Sequence, residues 1–158
     1  MRKGRVKRRE LFPDPKYGDE LVTKFVNNLM YSGKKSLAYR IFYDALSIVE
    51  EKTTDDEKTS LEIWKSALDN VTPYVEVKSK RVGGAVYQVP VQISSGRRIS
   101  MAIKWMISFS RKRNEKSMSD KLASEILAAY KQEGSSFKKK TDVHKMAESN
   151  KAFSHFRF

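Results

Sequence analysis

Residues 74–91, YVEVKSKRVGGAVYQVPV, decide the fold, because here the spacing of apolar residues changes from helical to alternating. Residues 74–80 set Val75 and Val77 against Tyr74, Glu76, Lys78 and Lys80, the period-two pattern of a strand. Gly83 and Gly84 supply a turn, and Val86 to Val91 return as a second strand. A two-stranded hairpin is marginal by itself, so this one must lean on helices or on a partner.

Helical spacing flanks the hairpin on both sides. From Asp19 onward, Leu21, Val22, Phe25, Val26, Leu29 and Met30 recur at steps of three and four, and Gly33 suits a stop. A second helix over 35–52 is expected to bury Leu37, Ile41, Ala45, Ile48 and Val49. A third carries Leu61, Trp64, Ala67 and Leu68 and ends at Pro73. Beyond the hairpin, Ile99, Ala102, Ile103, Met106 and Ser110 form one stripe. A helix over 118–131 turns Leu122, Ile126, Leu127 and Tyr130 inward and stops near Gly134; a weakly amphipathic one covers 136–152. The fold class is therefore mainly α, a single helical domain of about six helices with a protruding β-hairpin. It divides into a basic extended arm (1–18), a helical body (19–152) and a C-terminal tail (153–158) bearing Phe153, Phe156 and Phe158.

The charge is large and uneven. The 158 residues include 32 Lys plus Arg against 19 Asp plus Glu, a formal +13, and no Cys. Residues 1–9 hold six cations and no acid, whereas residues 44–69 hold eight acids against three lysines. That acidic stretch is expected to face solvent, away from any polyanion drawn to the +18 on the remainder. Without Cys there is no disulfide framework, thiolate metal site or thiol nucleophile. No apolar run is long enough to span a bilayer, and the basic N-terminus lacks the apolar stretch of a secretory signal.

Catalytic and metal signatures find no support. His144 and His155 lie eleven apart, unlike a helical ligand pair. Asp55, Asp56 and Glu57 lack the alternating spacing of a calcium loop, and Gly83 and Gly84 precede no helix that would cradle phosphate. Neither a cofactor nor a metal is expected. Nucleic-acid binding fits better. Arg97, Lys104 and Arg111, spaced by seven, line up along one side of a helix beside Arg98, Trp105 and Lys112, with no acid in residues 94–114. Trp105 suits either the core or that surface; Tyr74 and Tyr87 suit either base stacking or anchoring of the hairpin. Lys78, Lys80 and Arg81 approach the hairpin tip, and Lys138, Lys139 and Lys140 form another cluster. Dispersed cations suit phosphate contacts and recognition of RNA by shape, although a basic helix also permits a DNA-binding role.

The run Lys78 to Val91 (KSKRVGGAVYQVPV) and the ending His144 to Arg157 (HKMAESNKAFSHFR) resemble the ribosomal protein seven family of the small subunit, bacterial type. The Pro13-Asp14-Pro15-Lys16-Tyr17 segment and Gly33 to Tyr39 (GKKSLAY) agree in order and spacing, so the likeness spans nearly the whole chain. The resemblance implies a non-catalytic, structural constituent of the ribosome. Such a protein binds 16S-type rRNA in its 3′ major domain, nucleates assembly of the subunit head and lies near mRNA and exit-site tRNA. It implies neighbouring small-subunit proteins as partners, no membrane and no homo-oligomer; the sequence leaves a bacterial or an organellar ribosome open, and the absence of a transit segment favours the bacterial cytoplasm.

Carried onto this chain, the resemblance implies RNA contacts at Arg2, Lys3, Arg5, Lys7, Arg8 and Arg9 in the arm, and at Lys34 and Lys35. It adds Lys78, Lys80 and Arg81 in the hairpin, then Arg97, Arg98, Lys104, Arg111, Lys112, Arg113 and Lys116. His144, Lys145, Asn150, Lys151 and Arg157 complete the set, with Asn150 to Arg157 facing RNA or a neighbouring protein. Two departures matter. Lys80 stands where the family often has Arg, keeping charge but losing a planar fork; Asn114 replaces a frequent glycine and is expected to tolerate a left-handed turn.

Overall fold

The computed structural model describes residues 10–53 and 57–156. Among them run α1 (Glu20–Leu29), α2 (Lys35–Lys52), α3 (Ser60–Val71), β1 (Val75–Val82), β2 (Ala85–Gln92), α4 (Ser95–Arg111), α5 (Met118–Tyr130) and α6 (Gly134–Ser149). A 3-10 turn over Lys151–Phe156 closes the described chain. The mainly helical fold with one hairpin is as expected. No helix among the described residues is long and apolar enough to cross a membrane.

An aromatic knot centres the core. Phe25 of α1, Phe42 of α2 and Trp64 of α3 are fully buried, with centroid separations of 5.2 to 5.5 Å. Phe42 sets the rotation of α2, which buries Ala38, Phe42, Ala45, Leu46 and Val49. Of the expected face, Ala45 and Val49 are buried and Ile41 and Ile48 pack partly buried against the core, whereas Leu37, at its edge, turns outward. Leu37 is left 46% exposed. Helix α4 buries Ala102, Ile103, Met106, Ile107 and Ser110, and Trp105 packs half-buried against the core.

Local signals fix the ends of the elements. Thr59 and Glu62 form a reciprocal capping box at the start of α3. The stop of α5 is Gln132 rather than Gly134: Gln132 adopts φ 60°, its N–H bonds Ala129 O at 3.1 Å, and Glu133 N–H bonds Ala128 O at 2.7 Å. This paired pattern is a Schellman motif. Gly134, at φ 86°, then lets α6 begin at once; a Cβ there would stand 3.0 Å from the Ala128 Cβ. Ser32 and Gln132 are the non-glycine residues at positive φ among those described, so the turn at Asn114 needs no left-handed residue.

Residues 10–18 are less extended than expected. Asp14, 2% exposed, accepts the N–H groups of Lys16 and Tyr17 and the hydroxyl of Tyr43, folding the segment as a turn onto α2.

The hairpin pairs in antiparallel register from Val75↔Gln92 to Val82↔Ala85, with Gly83 and Gly84 as a two-residue loop at φ 57° and 89°. Its alternation corrects the expected one: Glu76, not Val75 or Val77, is the buried residue of β1. The cause is an arginine on α4.

Candidate nucleic-acid interface

The apolar stripe of α4 faces the core, which leaves Arg97, Lys104 and Arg111 along an outer edge. Fourteen residues separate the ends of that row, about 21 Å of helix. It runs from the base of the hairpin to the corner between α1 and α2.

At the hairpin end, Arg97 Nε donates to both oxygens of Glu76 at 3.2 and 3.1 Å, and Nη2 donates to Oε2 at 2.8 Å. Lys78 Nζ lies 3.3 Å from the other side of the same carboxylate. The Arg97 hydrogen bonds hold the Glu76 carboxyl below its ordinary range; burial opposes this and Lys78 assists. The acid that residues 94–114 lack is therefore supplied by β1. Arg98 Nε donates to Ile93 O at 2.9 Å, with its guanidinium 5.1 Å from the Tyr74 ring centroid.

At the far end, Arg111 donates to Leu29 O at 3.0 Å, satisfying a terminal carbonyl of α1, and to the Tyr31 hydroxyl at 2.9 Å. Its guanidinium lies 4.1 Å from the Tyr31 ring centroid, and Tyr31 is 67% exposed. Sequence reasoning missed Tyr31, which sits in the α1–α2 turn outside any periodic pattern. Between these ends Lys104 is exposed and makes no hydrogen bond or ion pair among the described residues. Lys34, Lys35, Lys112 and Lys116 are exposed as well, Lys112 with its Nζ 5.3 Å from the Phe109 centroid.

Three further expected contact residues also have partners within the protein. Arg113 turns inward, with Nε 2.7 Å from Glu125 Oε2 and Nη1 3.3 Å from Glu115. Glu125 is 1% exposed, and its second oxygen accepts from the Ser136 N–H and hydroxyl, which ties α5 to the start of α6. His144 Nε2 accepts the Tyr74 N–H at 3.2 Å; burial, aided by Lys140, lowers its pKa and favours the neutral ring this bond requires. Asn150 Nδ2 donates back to Met146 O at 2.8 Å.

The hairpin and the tail form one surface. Tyr87 packs on Phe153 and Phe156 at 5.2 and 5.1 Å, and Lys80 Nζ donates to Phe156 O at 3.0 Å. Tyr87 is an anchor here, whereas Tyr74 stays 58% exposed beside Arg98. Arg81, Lys145 and Lys151 are exposed, and Lys140 is partly buried with Nζ on Asn70 O at 2.8 Å. The arm cations Arg2 to Arg9 and Arg157 lie outside the described residues.

The acids of the 44–69 stretch lie at the surface. Asp44, Glu50, Glu51, Glu57, Glu62 and Asp69 are all exposed, on α2, α3 and the loop between them; Asp55 and Asp56 lie outside the described residues. Among the described residues no three His, Asp or Glu side chains gather as a metal site.

Comparison with known proteins points to one family. The family described as Ribosomal protein S7p/S5e matches residues 1–151. Small ribosomal subunit protein uS7 of Christiangramia forsetii is 65% identical over 158 residues, covering all of both chains. The proteins of the same name from Flavobacterium psychrophilum and Porphyromonas gingivalis are 65% and 57% identical, again over the full length of both.

Proposed function

The chain belongs to the ribosomal protein S7p/S5e family, a structural and non-catalytic component of the small ribosomal subunit, and from that premise we propose which RNA it holds and how. It binds 16S-type rRNA in the 3′ major domain and nucleates the subunit head in the bacterial cytoplasm. Its hairpin lies toward mRNA and exit-site tRNA, and neighbouring small-subunit proteins pack around it. The observation that supports this reading is Lys104 with its surroundings. An exposed cation without an acid partner stands between the braced hairpin base and the Tyr31, Lys34 and Lys35 corner. A row of that kind meets successive phosphates while the fixed hairpin and Tyr31 ring meet features of shape.

Binding across salt concentrations tests it. A fragment of the 3′ major domain should bind far more tightly than an unrelated RNA of equal length. With six to ten phosphate contacts, its affinity should fall about 10³–10⁵-fold between 50 and 200 mM salt. Equal affinity for the two RNAs, or displacement by duplex DNA at comparable concentration, would defeat the proposal.

A further inference from the structure

A second aromatic and cationic surface lies on α2, on the other side of the Lys34–Lys35 corner from α4. Tyr39 and Tyr43 stand one turn apart with rings stacked, 5.8 Å between centroids and 29° between planes. Tyr17 meets Tyr43 edge-on at 6.0 Å. Lys16 Nζ lies 5.2 Å from the centroids of both Tyr17 and Tyr43, and Lys35 Nζ 5.7 Å from that of Tyr39. Pro15, Lys16, Ser36, Tyr39, Arg40, Tyr43 and Asp44 line a groove of about 630 Å³. Asp14 beneath it is already occupied by the N–H groups of Lys16 and Tyr17 and by the Tyr43 hydroxyl.

We propose that the groove over Tyr39 and Tyr43 takes one unpaired nucleotide of an RNA strand, its base against the tyrosine rings and its phosphates against Arg40, Lys16 and Lys35. The inference rests on the rRNA-binding reading and extends it around the corner from α4. Tyr39 and Tyr43 both line the groove, and contact between a base and aromatic rings is sequence-tolerant. The charge is complementary to a strand, since Arg40 is exposed without a hydrogen bond or ion pair among the described residues and Asp44 is the one acid of the lining. Lys34 and Lys35 are exposed at the start of α2, so cations lead from the Tyr31 corner toward the groove, whose one acid is Asp44.

Photo-crosslinking of the full chain with a uridylate hexamer carrying a central 4-thiouridine tests the proposal. Crosslinks are expected on peptides from residues 36–52, with yield reduced about tenfold in Tyr39→Leu and retained in Tyr39→Phe. Arg40→Gln, at a fully surface position, should also weaken capture and serves if Tyr39→Leu is unstable. Unchanged yield in both weakening variants, or crosslinks confined to α4 and the hairpin, overturns the inference while rRNA binding stands. Competition by AMP at the oligonucleotide's own concentration makes this a free-nucleotide pocket and overturns it. So does equal competition by a glutamate hexamer, which shows attraction by charge alone. Failure of the wild type to prefer the 3′ major domain fragment instead removes the reading on which the inference rests.

Discussion

Arg97 and Glu76 join the base of the hairpin to the first turn of α4 through three hydrogen bonds of 2.8 to 3.2 Å. The pair has a consequence for RNA binding. Arg97 has its charge balanced by a carboxylate that is 7% exposed, whereas Lys104, two turns along, has no such partner. Lys104→Ala should therefore reduce the salt slope of RNA binding by about one, as expected for a lost phosphate contact. Arg97→Ala should change that slope less and instead loosen the hairpin, seen as faster amide exchange over 75–92. Equal slope changes in the two variants would show that Glu76 does not hold Arg97 back from RNA.

Acid should release the same pair. The folded-state pKa of Glu76 lies below its ordinary 4.5, chiefly because of Arg97, so its contribution to stability is fully present above 4.5. That contribution is lost as pH falls through the lowered value, when the carboxyl protonates in the folded protein too. The Arg97 Nε–H resonance should hold its position from neutral pH down to 4.5 and move only below it. A transition at or above 4.5 contradicts the assignment.

Much of this could be read in the sequence, and each failure has a physical cause. The helices and the hairpin follow from apolar spacing, which reports burial averaged over a face. It does not report where the edge of that face lies. Phe42, locked between Phe25 and Trp64, centres the buried face of α2 so that Leu37, at its edge, faces out. Periodicity also treats every acid as outward. Glu76 and Glu125 lie inside because Arg97 and Arg113 come to them from elements 21 and 12 residues away. Glu125 did leave a trace, three residues after Leu122 and one before Ile126 on the buried stripe. The cationic row was legible because seven residues nearly complete two turns; which of its members have acid partners was not.

Arg113 should then act on stability and leave RNA affinity nearly unchanged. Its removal strands the Glu125 carboxylate, 1% exposed, with only Ser136 for company. Losing one partner of a buried pair costs roughly 3 kcal/mol or more. Arg113→Ala should lower the unfolding free energy by that amount, read as a lower urea midpoint at unchanged m-value, while the salt slope for RNA stays at the wild-type figure. A reduced slope with intact stability would return Arg113 to the RNA surface. Arg113→Ala with Glu125→Gln should recover part of the loss, because the buried charge is gone and the Ser136 bonds remain available.

The tail sets the hairpin's position as much as α4 does. Tyr87 lies against Phe153 and Phe156, and the backbone oxygen of Phe156 accepts from Lys80, so the two strands are supported on one face by residues 151–156. A hairpin of two strands has little stability of its own. Phe153→Ala together with Phe156→Ala removes both rings from Tyr87 while leaving the knot of Phe25, Phe42 and Trp64 untouched. Amide exchange over 75–92 should rise at least tenfold, about 1.4 kcal/mol in local opening. The thermal midpoint of the helical body should move little. If exchange in the hairpin stays at the wild-type rate, the contacts of its base with α4 and α6 hold it, and the two tail rings are free to serve a neighbour instead.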